Sequence, residues 1–172
     1  MATKTFHQPT NVNQLSPVGY KFIIENLPNV SWFITSVSLP GVSLGSAGQA
    51  TPFLSTSVPG ETMTFEDLNV TFIVDEDLTT WLEIFDWITG LGFPENYSQY
   101  KDQKANFTTS DATLIILNSN MRPNYHFKFK DLFPTGLSEI TFDSASTEIS
   151  TIKATVGFKY LSYSYEKVAS ET

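Results

Sequence analysis

Apolar and polar residues alternate in several short runs, and that period of two is the signature of strands with one buried face. Tyr20, Phe22 and Ile24 alternate with Lys21 and Glu25. Residues 31–39 carry apolar side chains on both faces, Trp32 and Ile34 on one and Phe33, Val37 and Leu39 on the other. That pattern predicts a strand buried on both sides. The short Pro28-Asn29 link predicts that it forms a hairpin with the preceding strand. Leu68, Val70, Phe72 and Val74 alternate with Asn69, Thr71 and Asp75. Further strands are expected over residues 112–117, 125–130, 137–142 and 152–165. In the last of these the apolar face changes parity after Tyr160 and continues through Leu161, Tyr163 and Tyr165. A parity change reads as a bulge, or as a strand passing from one contact surface to another.

One segment has the period of a helix instead. Leu78, Trp81, Leu82, Phe85 and Ile88 recur at helical spacing, and Ile84, Trp87 and Leu91 widen the apolar arc. The helix is expected over about residues 77–90 and buried on more than one side. Asp77 is the expected N-cap, and Gly90 and Gly92 supply the stop before Pro94. Seven or eight strands and one flanking helix predict a mainly β fold, an antiparallel sandwich or barrel. Its domain spans residues 18–166, between an N-terminal arm at 1–17, punctuated by Pro9 and Pro17, and a tail at 167–172.

Residues 40–61 interrupt the alternation. The stretch 40–60 has no charge, holds Pro40, Gly41, Gly45, Gly48, Pro52, Pro59 and Gly60, and yet carries Val42, Leu44, Phe53, Leu54 and Val58. Disordered loops are charged and poor in apolar residues. This one therefore reads as a docking loop or extended hairpin that is covered on assembly. A polar linker is expected over residues 95–111.

Charge sharpens the picture. The net charge is -8, and no Lys or Arg occurs between Phe22 and Tyr100. Such an acidic half disfavours phosphate binding. Only 16% of residues are charged while 14% are aromatic. An isolated domain carries about a quarter charged residues, so partners are expected to cover much of the surface. The N-terminus lacks an apolar signal region, and no apolar run reaches the ~18 residues of a membrane helix. The sequons at Asn29, Asn69, Asn96 and Asn106 accordingly carry little weight.

Catalytic chemistry is sparse. The chain has no cysteine, which excludes disulfides and thiolate metal sites. Its two histidines are His7 in the arm and His126, expected to face solvent from a strand. The run Asp75-Glu76-Asp77 could serve paired-carboxylate or metal chemistry, but it lacks the further ligands of a calcium loop and reads as helix capping. Gly41 and Gly45 have no basic residue nearby to complete a phosphate cradle. The expectation is a chain without cofactor or metal and without enzymatic activity. A β-sandwich carbohydrate-binding module using Trp32, Trp81 or Trp87 as a platform is the alternative of a different class, and a hydrolase built on His126 a more remote one.

Three ordered segments resemble the tail-tube proteins of contractile-tailed bacteriophages. They are Tyr20-Lys21-Phe22-Ile23-Ile24 through Ser36-Val37-Ser38-Leu39-Pro40-Gly41; Phe65-Glu66-Asp67-Leu68-Asn69-Val70-Thr71-Phe72-Ile73-Val74-Asp75-Glu76-Asp77 with Phe85-Asp86-Trp87; and Lys130-Asp131-Leu132-Phe133-Pro134-Thr135-Gly136-Leu137-Ser138-Glu139-Ile140. The arm and Phe93-Pro94-Glu95-Asn96-Tyr97 depart from that pattern. The resemblance implies hexameric rings whose sheets join into a continuous barrel, stacked into a hollow tube for genome delivery. Sheath and baseplate proteins would be partners, DNA a non-specific cargo, and the virion tail the location. A tube-like adaptor ring at the baseplate or tail terminus is the nearest alternative. In that setting Val42, Leu44, Phe53, Leu54, Val58, Trp81, Phe85, Trp87, Ile88, Tyr163 and Tyr165 are the expected subunit-contact residues. An acidic lumen would let DNA slide.

Overall fold

The computed structural model describes residues 12–50, 52–92, 108–143 and 151–168. The arm's first eleven residues, most of the expected polar linker and the end of the C-terminal tail lie outside the described residues. Among the described residues nine strands and two helices follow in chain order. They are β1 (Tyr20–Ile24), α1 (Pro28–Phe33), β2 (Ile34–Val37), β3 (Val42–Ala50), β4 (Ser55–Phe65), β5 (Leu68–Ile73), α2 (Thr79–Gly92), β6 (Ser110–Leu117), β7 (Pro123–Leu137), β8 (Lys153–Lys159) and β9 (Ser162–Lys167). The fold is mainly β and every strand pairing is antiparallel.

Seven strands form one sheet in the order β1-β6-β7-β8-β5-β2, with β9 also paired to β7. The long strand β7 divides it. Residues 123–132 pair with β6 on one side and, up to Lys130, with β9 on the other; residues 133–137 pair with β8. The result is a four-stranded half, β1-β6-β7-β9, and a second half built from the end of β7 with β8, β5 and β2.

The change of partners occurs at Asp131, whose φ is 53°. Opposite Asp111, the strand carries both Lys130 and Asp131, so one residue is extra. Asp131 donates its backbone N–H to Asp111 Oδ1 at 3.1 Å and accepts at Oδ1 from the Thr109 hydroxyl at 3.2 Å. Asp tolerates the left-handed region better than most residues, and such bulges bend and re-aim a strand.

One core serves both halves. Phe22, Ile24, Ala112, Leu114 and Phe129 from the first half meet Leu68, Val70, Phe72, Ala154, Val156 and Phe158 from the second. Ile84 and Trp87 of α2 and Val30 of α1 complete it.

The chain 28–39 departs from its expected form. Pro28 opens a short helix, and Ser31 ties the turn down by donating its hydroxyl to Leu27 O and accepting the Ile24 N–H. Proline suits a first helical position because its missing N–H has no partner there anyway. The turn buries Leu27 and Val30 and leaves Trp32 84% exposed. Apolar residues on both faces thus mark a helical turn entering a short strand. The expected hairpin is absent too: β1 and β2 lie at opposite ends of the strand order. The described residues therefore hold two helices rather than the one expected.

Two other expectations merge or split. The strand expected at 125–130 runs on without a break to Leu137, whereas residues 138–142, expected within the next strand, are in no strand. Through Pro134-Thr135-Gly136, outside both expected strands, the pairing with β8 only slips, and Thr135 donates its hydroxyl to Gly157 O. The strand expected at 152–165 is two, β8 and β9, separated at Tyr160 and Leu161. The parity change marks the chain leaving one half of the sheet for the other.

Helix α2 begins two residues later than expected, and its cap is Asp75, not Asp77. The Asp75 carboxylate accepts the N–H of Thr79 at 3.1 Å, the N–H of Thr80 at 2.9 Å and the Thr80 hydroxyl at 2.7 Å. The Thr80 hydroxyl first, then its N–H, hold the Asp75 pKa down to about 2. A depressed carboxylate pKa stabilises the fold above the unfolded pKa near 4 and ceases to do so as pH falls through about 2. Asp75→Ala is expected to cost about 1 kcal/mol at pH 7. Chemical denaturation of both proteins should show that gap shrinking between pH 4 and pH 2; a gap independent of pH would contradict the cap.

Candidate assembly surface

The strands β3 and β4 form a hairpin of their own, outside the main sheet. Residues 40–61, expected as a docking loop or extended hairpin, are most of it. The described residues from Gly41 to Pro59 are all exposed. Phe53 at the tip is 99% exposed, and Val42, Leu44, Leu54, Val58 and Met63 are also exposed. Glu61 is the one charge between Pro40 and Phe65. A two-stranded hairpin is marginal in water without a face to pack on, and a contiguous apolar, uncharged surface is a mark of an interaction site.

The base of the hairpin is anchored to the main sheet. Phe65 packs against Tyr160 and Tyr163 with centroids at 6.0 and 5.4 Å. Tyr160 donates its hydroxyl to Glu66 O at 2.9 Å, and Tyr163 donates to Pro40 O at 3.4 Å. Burial first, then the neighbouring Tyr163, Asp67 and Glu66, push the Tyr160 pKa up to about 12, so it remains a donor. Halfway along, Gly60 lies against Gly45: a Cβ on Gly60 would sit 2.6 Å from Gly45 O. The pairing register slips beside it, between Leu44 and Ser46. This contact with backbone requires glycine.

The helix residues separate by face. Trp87 is 1% exposed and packs on Phe158, so it is a core residue and not a subunit-contact residue as expected. It is also unavailable as a sugar platform. Trp81 and Ile88 are half-buried against the core, with Trp81 donating its indole N–H to Ser138 O at 3.4 Å. Phe85 stacks on Trp81 at 5.2 Å and is 44% exposed, beside exposed Leu82. The arc is wide because its centre meets the sheet while one margin stays open.

Two strand edges, which the alternation pattern did not single out, are the other part of this surface. In an antiparallel pair, successive residues direct their N–H and C=O alternately toward the partner and away from it. The bonds Leu117 N–H to Gly19 O and Glu25 N–H to Asp111 O fix the phase of β1. Tyr20, Phe22 and Ile24 therefore point their backbone groups away from β6, where the Ile24 N–H is already taken by Ser31. On β9, the bond from Val168 N–H to Asn124 O fixes Tyr163, Tyr165 and Lys167 as the residues facing away from β7. β1 and β9 are the two edges of the four-stranded half. With three antiparallel pairings between them they run in opposite directions.

Beside the β1 edge lies a groove of about 400 Å³, walled by Pro17, Val18, Ser31, Ile34 and Thr35. Tyr20 spans it, donating its hydroxyl to Thr35 O at 2.6 Å, and burial raises its pKa. On β9, Tyr165 is exposed while Tyr163 is partly buried against Phe127 and Phe129. Tyr165 also borders an apolar recess with Leu15, Ile116, Tyr125 and Phe127.

His126 does not face solvent freely as expected. Its Nε2 is buried with no hydrogen-bond partner among the described residues, and Glu166 stands opposite it on β9. No group of three or more metal-binding side chains occurs among the described residues, and no helix there is long and apolar enough to cross a membrane.

Residues 4–166 match the family of phage tail tube proteins. The tail tube terminator protein of Enterobacteria phage T4 is 28% identical over 136 residues, 77% of this chain and 76% of that protein. Among solved structures, a chain of the extended PVC sheath-tube complex, an extracellular contractile injection system, aligns over 91% of this chain and 95% of its own length with a TM-score of 0.59 at 18% identity. A chain of the tube-terminating cap of the anti-feeding prophage aligns over 98% and 100% with a TM-score of 0.56 at 14% identity. At those identities the likeness is one of fold.

Two substitutions separate anchor from surface. Trp87→Ala is expected to cost about 3–5 kcal/mol and Phe85→Ala about 1 kcal/mol or less in thermal or urea unfolding; equal losses would contradict the assignment of faces. Gly60→Ala should distort the hairpin yet leave the melting of the core within a few degrees of the parent, because nothing in the core rests on it.

Proposed function

We propose, from the premise that the chain belongs to the phage tail tube protein family, that it is a ring-forming structural subunit of the tail conduit and carries no catalytic role. As a phage tail structural protein its place is the virion tail. The observation that carries the ring is a pair of oppositely directed edges on one four-stranded half, unpaired among the described residues.

A free edge is an aggregation hazard unless it is blocked or used. Here β1 of one copy can meet β9 of the next in antiparallel sense, so the ladder continues from copy to copy without a break. Such a contact is heterologous, and it closes into a ring when the rotation per copy divides a full turn. Six copies, the number the family resemblance implies, would give a barrel of four strands per copy. The hairpin β3–β4 lies outside this sheet, carries Glu61 as its one charge and exposes Val42, Leu44, Phe53, Leu54, Val58 and Met63. It fits contact with a neighbouring ring or with another tail component better than it fits water.

The second reading concerns position along the tail. The similarity to the T4 terminator over most of both chains favours a single ring at the end of the tube over a repeating main-tube subunit. Sheath, tube and baseplate components are the partners named in the related assemblies, and they are the expected neighbours here.

Electron microscopy of the purified protein at high concentration tests both parts. Isolated rings support the terminator position, and long hollow tubes support the main tube. A monodisperse monomer at every concentration would contradict the ring reading. Replacing Phe53 and Leu54 with Ser is expected to leave ring formation intact and abolish attachment to the next component, read as the fraction of rings bound to tube ends.

A further inference from the structure

Which face of the four-stranded half turns toward the ring axis does not depend on how the two edges are registered. We infer that the bore is lined by the face of β1, β6, β7 and β9 opposite the core, that this wall is charge-balanced rather than acidic, and that it offers Lys21 and Lys130 to a polyanionic cargo. This rests on the ring reading above and deepens it.

Thickness decides the orientation. The core side of this half is covered by the end of β7 with β8, β5 and β2, and by both helices. A sheet packs at about 10 Å and a helix layer adds about 8–10 Å more. Six copies, the number the family resemblance implies, of four strands about 4.8 Å apart give a wall of radius about 18–24 Å for strand tilts up to about 40°. Covering layers about 20 Å thick and nearly as wide as the wall have no room inside that radius. They fit outside it, so the free face is the inner one.

Alternation then assigns the side chains. Phe22, Leu114 and Phe129 mark the core side, and residues of the other parity in each ladder point to the free face. The Glu25 N–H bonds Asp111 O, which carries the β1 ladder one residue further. The charges on the free face are Lys21, Lys128 and Lys130 against Glu25, Asp111 and Glu166, with His126 neutral. They cancel, in a chain whose net charge is -8. Topology is the reason. The stretch without Lys or Arg, between Phe22 and Tyr100, builds β2, the hairpin, β5 and α2, and gives this face only Ile23 and Glu25.

The opposed charges are not equally free. Glu166 holds Lys128 at 2.7 Å, and Asp111 Oδ1 accepts the Asp131 N–H at 3.1 Å. Lys21 and Lys130 are exposed and make no ion pair among the described residues. A phosphate backbone in the bore therefore meets two unengaged ammonium groups per copy. Contacts of that kind carry no sequence information and weaken with salt. Such a wall guides DNA by weak, reversible attraction, where an acidic wall would repel it.

The chain has no cysteine, so a single introduced thiol reports its own position. Ser164, exposed on the free face, and Asp77, exposed just ahead of α2, are each replaced by Cys in the full chain. Ring formation is checked by native mass. The rings are then labelled with small anionic and cationic thiol reagents, and with a maleimide on a polymer too wide for the bore. The polymer is expected to label Asp77→Cys rings but not Ser164→Cys rings, and both variants once dissociated. The anionic-to-cationic rate ratio in Ser164→Cys rings, divided by that of a neutral small thiol, should be one or more. It should fall about threefold or further when Lys21→Gln and Lys130→Gln are added. A short DNA duplex should slow the small-reagent labelling at low salt, and lose that effect in the lysine variant. Polymer labelling of Ser164→Cys in intact rings, a parent ratio below about one third, a ratio unmoved by the lysine changes, or no protection by DNA would each overturn the inference and leave the ring reading standing. Absence of rings for the unmodified protein would overturn the ring reading itself.

Discussion

Strand β7 has to serve two sheets at once, and the bulge at Asp131 is the constraint on which the rest of the architecture depends. Before it, the strand has neighbours on both sides, β6 and β9; after it, β7 pairs with β8. The Asp131 N–H that a regular ladder would have used is satisfied by the Asp111 carboxylate. Without that satisfaction, a left-handed residue and a broken ladder in mid-strand would be costly. With it, one strand turns a flat sheet into two halves around one core, and places β1 and β9 at the edges of the same half.

That arrangement links packing to assembly. The core-side rows of the four-stranded half do not end where the core ends. Phe127, Tyr163 and Tyr165 continue it toward the β9 edge, through ring contacts at 5.4–6.3 Å. Tyr160 and Tyr163 use the same cluster to fix the base of the hairpin through their hydroxyls. Edge and hairpin are therefore held by one aromatic cluster. Several carboxylates of the acidic stretch are engaged within the subunit. Asp75 is occupied in capping α2, Asp67 lies 3.7 Å from Lys159, and Glu83 accepts from Asn29 between the two helices.

Much of this was legible in the residues. Strict alternation located β1, β5, β6 and β8 because each has one face in the core. The absence of charge over residues 40–60 marked an exposed element that water does not suit. Illegible features were those in which tertiary pairing overrides local signals. Pro134-Thr135-Gly136 has turn composition, yet the Thr135 hydroxyl and a slipped register keep it in a strand. Apolar residues on both faces of 31–37 could not distinguish a doubly buried strand from a turn of helix that hides Val30 and exposes Trp32. Trp87 and Phe85 lie two positions apart on one apolar helix, and only the position of the sheet decides which is buried. Strand edges leave no periodic trace in the side chains, so β1 and β9 emerge only from the backbone phase.

The central claim is that these two edges are the surfaces by which copies join. Hydrogen–deuterium exchange on the protein before and after assembly measures it most directly, because the outward amides of Tyr20, Phe22, Tyr165 and Lys167 gain partners only at that joint. The account predicts fast exchange at these amides in the dilute subunit and strong protection in the ring, with the amides of Lys21 and Glu166, already bonded inside the sheet, changing far less. Equal exchange at Phe22 and Tyr165 in both states, with new protection confined to the hairpin or to α2, would contradict it.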